Sequence, residues 1–295
     1  MLDKIFQKQS EASSLDSFED PFEEIEFLLK EEYFEQKKEE LSYFEENFLF
    51  TPAYTKFLDR SALSMYKNGY ITTDIIADYL KELASLDADS HMLIVGQNGI
   101  GKSSAAFEIA SKIENLSPEN IIFSTDSDEA ALDKMANKDK KTLIIDEAEL
   151  LLSSTEYYYN RDLTRYIQAI RFLNKIYFAC AIEYFAIEKE YRDHKVQLVL
   201  WLVERNQNQS LGLLFTSFPT IGNKEDKFDL YPLNQKTFHS LDDFYNYAVY
   251  NISSFLGIVQ IPKFTFPDWY IQEKIKGAEE LARRFKEKRA KRKRK

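Results

Sequence analysis

The chain has 295 residues, of which 44% are hydrophobic, and a formal net charge of −10 at pH 7. This length and composition allow one large domain or a core with appendages. The single cysteine, Cys180, excludes an internal disulfide and suits a reducing compartment, and its apolar neighbours indicate packing. No apolar stretch is long enough to cross a bilayer and no secretory signal opens the chain, so we expect a cytoplasmic protein without a membrane partner.

The net charge conceals a polarised molecule. Residues 283–295 hold ten Lys or Arg and one Glu, which gives a local charge of +9, while the other 282 residues carry −19. Residues 1–50 alone hold 15 acidic and 5 basic groups. An acidic body repels phosphate, so the basic tail 283–295 is the expected nucleic-acid contact. Such runs also serve as nuclear signals, membrane-surface anchors or solubilising ends.

Residues 20–50 carry a helical pattern that is strongly acidic on one side. A capping signal at Asp20 and Pro21 predicts a helix over 20–50, and two shorter helices are expected at 53–66 and 74–86. The acidic side of the first helix is a candidate docking surface for a protein partner.

Residues 96–103 form a glycine-rich loop between an apolar run and a helical pattern. Strand, loop and helix stand in the order that a phosphate-binding loop requires. Its glycines let successive N–H groups converge on one anion, at the positive end of the helix. We expect Lys102 to reach the β- and γ-phosphates and Ser103 to bind Mg²⁺. The predicted nucleotide-binding residues are Gly96, Gln97, Asn98, Gly99, Ile100, Gly101, Lys102, Ser103 and Ser104.

A second apolar run, 142–145, ends in two carboxylates about forty residues after the loop. In a parallel sheet its acidic end would lie at the same carboxyl edge as the loop. Asp146 could then hold Mg²⁺ with Ser103, and Glu147 could polarise the water that attacks the γ-phosphate. A glutamate beside the magnesium aspartate favours water as the acceptor. The pattern therefore predicts an ATPase that uses ATP and Mg²⁺, with Lys102 and Glu147 as catalytic residues.

Alternating strand and helix patterns predict an α/β fold, a P-loop NTPase three-layer sandwich with a mostly parallel sheet. Strands are expected at 92–95, 120–124, 142–146, 176–182, 196–203 and 211–217, and helices at 102–115, 128–137 and 161–174. The last two strands suggest an antiparallel hairpin at the sheet edge. A helix near 240–256, a proline-containing loop and a final helix from Trp269 follow. The predicted parts are a flexible N-terminus 1–19, an acidic helical appendage 20–88, a P-loop ATPase core 89–235, a helical C-terminal extension 236–282 and the basic tail 283–295.

The loop at 96–103, the run Ile-Ile-Asp-Glu-Ala-Glu at 144–149 and the order of the following elements resemble the FtsK–HerA superfamily, especially its Zonular occludens toxin-like branch. The resemblance implies ring-forming ATPases, commonly hexamers, that move or remodel duplex DNA in chromosomes, plasmids or viruses, with DNA held in the ring pore. In that family a polar residue, often Gln, follows the fourth strand and senses the γ-phosphate. Here the nearest polar group is Glu183. This departure concerns two points: the subfamily to which the chain would belong, and how efficiently ATP hydrolysis would be coupled to work on DNA.

Ring ATPases of this kind supply an arginine to the neighbouring subunit's γ-phosphate. Arg171 best matches the family position and is the predicted catalytic arginine. The other candidates are Arg161, Arg165, Arg192 and Arg205.

Three functions remain open at this stage. The leading hypothesis is a DNA-associated motor or remodelling ATPase, acting as a homo-oligomer and encoded by a mobile element such as a virus or plasmid. The second is an AAA+-type ATPase that acts as a loader, initiator or transposition helper. The third is a nucleotide-regulated scaffold with little turnover, whose acidic helix docks a protein. A helical lid with an arginine facing the nucleotide would favour AAA+, whereas a sheet extended by 196–217 would favour FtsK–HerA.

Overall fold

The computed structural model describes residues 51–86, 89–123, 125–152, 166–167, 170–216, 228–236, 238 and 240–293. The chain divides into two units, Met1–Ile71 and Thr72–Lys295. The predicted flexible start, the predicted helix 20–50 and half of the predicted helix 161–174 lie outside the described residues.

Helix α1, Thr51–Asn68, belongs to the first unit. Pro52 lies in its first turn, where a missing N–H costs no hydrogen bond. The apolar side is buried, and Phe57 is 2% exposed. The helix ends at Gly69, whose φ of 72° suits glycine and whose N–H donates to the Met65 carbonyl at 2.8 Å. The predicted helix, 53–66, is two residues shorter at each end than the observed one.

The second unit is built on one seven-stranded sheet. Its strands are β1 Ser90–Val95, β2 Ile121–Ile122, β3 Thr142–Ile145, β4 Ile176–Ala181, β5 Val196–Arg205, β6 Gln209–Thr216 and β7 Phe255–Pro262. They lie in the order β2-β3-β4-β1-β5-β6-β7. The first five in this order pair in parallel, and β6 and β7 are antiparallel. The predicted, mostly parallel α/β sandwich is therefore confirmed.

Seven helices of the described residues belong to this unit. They are α2 Thr73–Ser85, α3 Lys102–Ser111, α4 Asp128–Ala136, α5 Lys189–His194, α6 Tyr231–Gln235, α7 Leu241–Asn251 and α8 Asp268–Lys293. Short 3₁₀ turns follow β3 at Ala148–Leu150 and precede β4 at Arg171–Leu173. Helix α2 groups with the sheet, whereas the sequence analysis assigned it to the appendage.

The sheet is covered on both faces, as a mostly parallel sheet requires. Helices α2 and α3 contact one face. Leu93 and Val95 point to the opposite face, because successive side chains of a strand alternate. There they join a hydrophobic cluster that includes Met135 of α4, Tyr191 of α5 and Phe244 of α7. The central strands are buried along their whole length, which fixes the positions of the loops at their carboxyl ends.

The C-terminal extension contributes a strand as well as helices, and this corrects the sequence prediction. The helix expected over 240–256 ends at Asn251, and β7 pairs along β6 from Phe255 to Pro262. The two prolines of this region suggested a loop, yet Pro262 is the last residue of the strand, where a missing N–H is tolerated. The hairpin of β5 and β6 is therefore not at the sheet edge, because β7 covers it.

Candidate functional site

The glycine-rich loop joins β1 to α3 at the carboxyl edge of the sheet, as predicted. Gly101 precedes the first helical residue with a φ of 105°. A Cβ at this position would lie 2.7 Å from Ser210 Oγ. At Gly96, with a φ of 149°, a Cβ would lie 2.9 Å from the Leu202 carbonyl oxygen. Both positions therefore require glycine for backbone angle and for space.

The hairpin of β5 and β6 holds the loop in place. Arg205 Nη1 donates to the Gly99 carbonyl at 2.8 Å, and Ser210 Oγ donates to the Ile100 carbonyl at 3.1 Å. The Lys102 ammonium donates to the carbonyl of Gly96 at 2.8 Å. These bonds hold the loop in one conformation. The first N–H groups of α3 have no partner within the helix, as at the start of any α-helix, so they are available to an anion.

The acidic end of β3 meets the loop as predicted, although the two strands are not neighbours. Strand β4 lies between β1 and β3. Ser103 Oγ nevertheless donates to Asp146 Oδ1 at 2.9 Å. Asp146 is 4% exposed, and its own N–H is held by the Ile122 carbonyl at 3.0 Å. The two residues predicted to bind a metal together are thus in direct contact.

Glu147 is exposed and follows Asp146 in a left-handed conformation, with φ 62° and ψ 51°. Such angles cost a non-glycine residue about 1–2 kcal/mol. Backbone strain of this kind concentrates at functional sites, where the surrounding structure maintains it. Glu147 is one of the residues that line the cleft in front of the loop.

Glu149 is a further carboxylate of this cleft that the sequence analysis did not single out. Burial raises the pKa of its carboxyl group above the ordinary value of 4.5, and the charge of Glu147 adds to this, while Lys102 lowers it. Among the described residues, its Oε2 atom is buried without a hydrogen-bond partner. The only sequence signal was its position two residues after Glu147.

The last helix, α8, reaches the same site from the C-terminal end of the chain. The Tyr270 hydroxyl donates to Asp146 Oδ2 at 3.0 Å, and Lys274 Nζ lies 2.6 Å from the same oxygen. Burial raises the pKa of Tyr270, and the charge of Asp146 acts in the same direction. No local pattern links residues this far apart, so the sequence analysis missed both.

These residues enclose a cleft of about 230 Å³. The predicted site residues that line it are Asn98, Gly99, Gly101, Lys102, Ser103, Ser104, Asp146 and Glu147. Glu149, Arg205 and Lys274 complete the wall. The remaining predicted loop residues, Gly96, Gln97 and Ile100, line a neighbouring cleft of about 590 Å³. The cleft thus combines loop amides and three cations with three carboxylates at one edge of the sheet.

The donor set of this cleft fits Mg²⁺. A hydroxyl and a carboxylate oxygen are hard ligands, and Asp146 already attracts a cation in the form of the Lys274 ammonium. Among the described residues there is no group of three or more His, Cys, Asp or Glu side chains that could hold a metal alone.

The candidate arginines separate in the structure. Arg205 contacts the loop of its own chain. The guanidinium of Arg192 lies 4.8 Å from the Tyr184 ring centroid and its Nε donates to the Ile187 carbonyl, which is a packing role away from the cleft. Arg161, Arg165 and the side chain of Arg171 lie outside what the structure describes.

The two remaining sequence candidates fall on β4 and just after it. Cys180 is fully buried, and burial raises the pKa of its thiol, so the predicted packing role is confirmed. Glu183 follows β4 and lines the larger cleft rather than the one in front of Lys102.

Within the described part of the chain, no helix is long and apolar enough to span a membrane.

No protein-family model and no curated protein matches the chain. Among solved structures it is similar to the N-terminal domain of zonular occludens toxin from Neisseria meningitidis, with 13% identity and a TM-score of 0.33, over 56% of this chain and 98% of that one. It is also similar to a chain of the HORMA:CdnC:Trip13 complex from E. coli MS115-1, with 18% identity and a TM-score of 0.31, over 64% of this chain and 68% of that one. Similarities this distant say nothing about activity. The sheet order and the loop geometry define the second unit as a P-loop NTPase-type α/β sandwich.

Proposed function

We propose that this chain binds ATP with Mg²⁺, hydrolyses it, and works as a homo-oligomeric motor or remodelling ATPase on duplex DNA. The observation that carries the nucleotide part is the 2.9 Å hydrogen bond between Ser103 and Asp146 in front of the glycine loop. It joins the two sequence motifs, which are 43 residues apart, into one site.

The chain's own residues have distinct tasks in this proposal. The loop amides and the Lys102 ammonium bind the β- and γ-phosphates. Ser103 and Asp146 would hold Mg²⁺, which neutralises phosphate charge when bound. Glu147 orients the attacking water and accepts its proton. Two observations support this role: Glu147 is exposed on a strained left-handed backbone, and it lines the cleft.

Two features favour a DNA motor over the AAA+ alternative. Strands β6 and β7 extend the sheet beyond β5, which agrees with the FtsK–HerA resemblance. Among the described residues, the C-terminal segment contributes no arginine to the cleft, and its last helix leads into the basic tail. The tail charge of +9 supplies the attraction to phosphate that the acidic body lacks.

The nucleotide part is tested with two substitutions and a matched control. Lys102→Ala should abolish ATP binding or turnover, because it removes the side chain directed at the phosphates. Glu147→Gln should retain ATP binding and lose hydrolysis by about a hundredfold or more, since an amide cannot accept the proton. Glu279→Gln, an exposed position on α8, should change neither.

Fluorescent-nucleotide titration and phosphate release measure these effects. Wild-type turnover in Lys102→Ala would remove the nucleotide site. Normal turnover in Glu147→Gln would remove Glu147 as the catalytic carboxylate and favour the scaffold with little turnover. The oligomeric part is tested by the particle mass with a non-hydrolysable ATP analogue, with and without duplex DNA.

A further inference from the structure

We propose that Lys274 is a nucleotide-binding residue, whose ammonium contacts the terminal phosphate of ATP in the cleft that it lines together with Lys102. The inference rests on the proposed nucleotide site and extends it to a residue of the C-terminal helix. Its starting point is the contact of Lys274 with Asp146 at 2.6 Å, inside the cleft in front of the loop.

Helix α8 is firmly attached at this end. Tyr270, one turn before Lys274, is 5% exposed and packs against Phe107 of α3, with ring centroids 4.7 Å apart. A second ring, Phe266, stacks on Tyr270 at 4.6 Å. The segment before the helix is tied to the loop helix as well, because the Phe264 N–H donates to Ser104 Oγ at 2.9 Å. The position of Lys274 at the cleft is therefore a property of the packed unit.

The Lys274 side chain keeps the freedom that a ligand contact needs. It is 40% exposed, whereas Asp146 is only 6% exposed at the side chain. An ammonium on a flexible stem can turn from Asp146 Oδ2 toward an anion that enters the cleft. Because Ser103 contacts the other carboxylate oxygen, Oδ1, this turn leaves the proposed metal-binding pair intact.

The charge of the cleft favours the same assignment. Its carboxylates are Asp146, Glu147 and Glu149, and its cations are Lys102, Arg205 and Lys274. Arg205 is engaged with the Gly99 carbonyl at the outer side of the loop. Lys274 is then the cation beside the magnesium carboxylate, where the terminal phosphate would lie. A triphosphate brings one more charged group to this place than a diphosphate does.

A contact with the terminal phosphate predicts selectivity for ATP over ADP. Hydrogen bonds to charged groups are stronger than neutral ones, so removing this one should weaken ATP binding about ten- to a hundredfold and ADP binding less than about twofold. Lys276 offers the matched control. It lies two residues further along α8, is 68% exposed and pairs with Glu273 on the same helix.

The experiment measures ATP and ADP dissociation constants for wild type, Lys274→Ala, Lys274→Arg and Lys276→Ala, each with Mg²⁺ and with EDTA. We expect Lys274→Ala to lose most of the ATP preference in both conditions, Lys274→Arg to keep a substantial part of it, and Lys276→Ala to behave as wild type. Lys274→Gln replaces the alanine variant if the latter does not fold.

The outcomes separate the two proposals. If Lys274 serves only as a counter-ion for Asp146, Lys274→Ala will leave the ratio of ATP to ADP affinity unchanged and will strengthen Mg²⁺-dependent binding, which overturns the inference. If wild type binds neither nucleotide, the proposed function itself fails. If Lys102→Ala abolishes binding while Lys274→Ala keeps the ATP preference, only the assignment of Lys274 fails.

Discussion

The carboxylates that follow β3 stand close together in sequence and differ in environment. Asp146 is buried, and among the described residues its carboxylate contacts Ser103, Tyr270 and Lys274. Glu147 is exposed on a left-handed backbone. Glu149 is partly buried, with a raised pKa caused mainly by burial. Environment rather than residue type therefore separates the three carboxylates, and in our proposal Asp146 holds the metal and Glu147 accepts the proton.

Glu149 should make stability depend on pH. Because its pKa is raised in the folded state, the folded chain holds this proton at pH values where the unfolded chain has released it. Its stabilising contribution is therefore complete below about pH 4.5 and is lost as the pH rises through the folded-state pKa. Glutamine cannot ionise. The stability of Glu149→Gln relative to wild type should therefore increase as the pH rises from about 4.5 through the folded-state pKa, and should remain constant at higher pH.

Urea unfolding midpoints from pH 4.5 to 8 measure the effect on Glu149. The exposed Glu279→Gln is the matched control for the loss of a carboxylate at the surface. A difference between Glu149→Gln and wild type that is equally large at every pH would contradict the assignment of burial as the cause.

At the scale of elements, local signals were sufficient for the loop and for β3. The glycines, Lys102 and Ser103 form a continuous sequence pattern that predicts the loop. The apolar run that ends in two acidic residues predicts β3 without information on tertiary contacts. The approach of α8 to Asp146 could not be predicted in this way. Tyr270 and Asp146 are 124 residues apart, and their contact depends on how β7 turns the chain back across the sheet. Strand β7 itself was not predicted, because Pro262 at its end and Pro267 beyond it suggested a loop.

The close approach of α8 to the end of β2 gives a test of how the helix is placed. Gly277 lies inside α8, where glycine costs about 0.5–1 kcal/mol relative to alanine. A Cβ there would lie 2.8 Å from Thr125 Oγ1 and 3.1 Å from Thr125 Cγ2. Gly277→Ala should therefore destabilise the protein, although alanine favours helix. In a Thr125→Ala background, where both atoms are gone, the same change should stabilise by about 0.5–1 kcal/mol.

A double-mutant cycle from urea unfolding measures this reversal of sign. The cycle requires wild type, the two single variants and the double variant. Gly277→Ala that stabilises equally in both backgrounds would show that α8 does not lie against Thr125 in solution.

At the scale of the whole molecule, the acidic body and the basic tail divide the work in our proposal. Deleting residues 283–295 should remove most DNA affinity and leave DNA-independent ATP turnover largely intact, because the cleft lies elsewhere on the chain. If about five to eight of the tail charges pair with phosphates, the logarithm of affinity should fall with the logarithm of salt concentration at a slope of about −4 to −7.

Fluorescence anisotropy with a labelled duplex at several salt concentrations gives both slopes. The truncated chain should show a slope near zero. An unchanged affinity and slope after truncation would place the DNA contact elsewhere, such as the pore of a ring.

One continuous helix, α8, joins the cleft in front of the loop to the basic tail. From Lys274 to Lys293, the last described residue of α8, the rise of an α-helix gives about 28 Å. A change in the tilt of this helix near Asp146 would therefore be transmitted to its far end. A tilt of about 10° at the cleft would move the far end by about 5 Å, which is close to one helical pitch. In our proposal, the change of partner of the Lys274 ammonium would thus be connected, through one helix of this length, to the segment that carries ten positive charges.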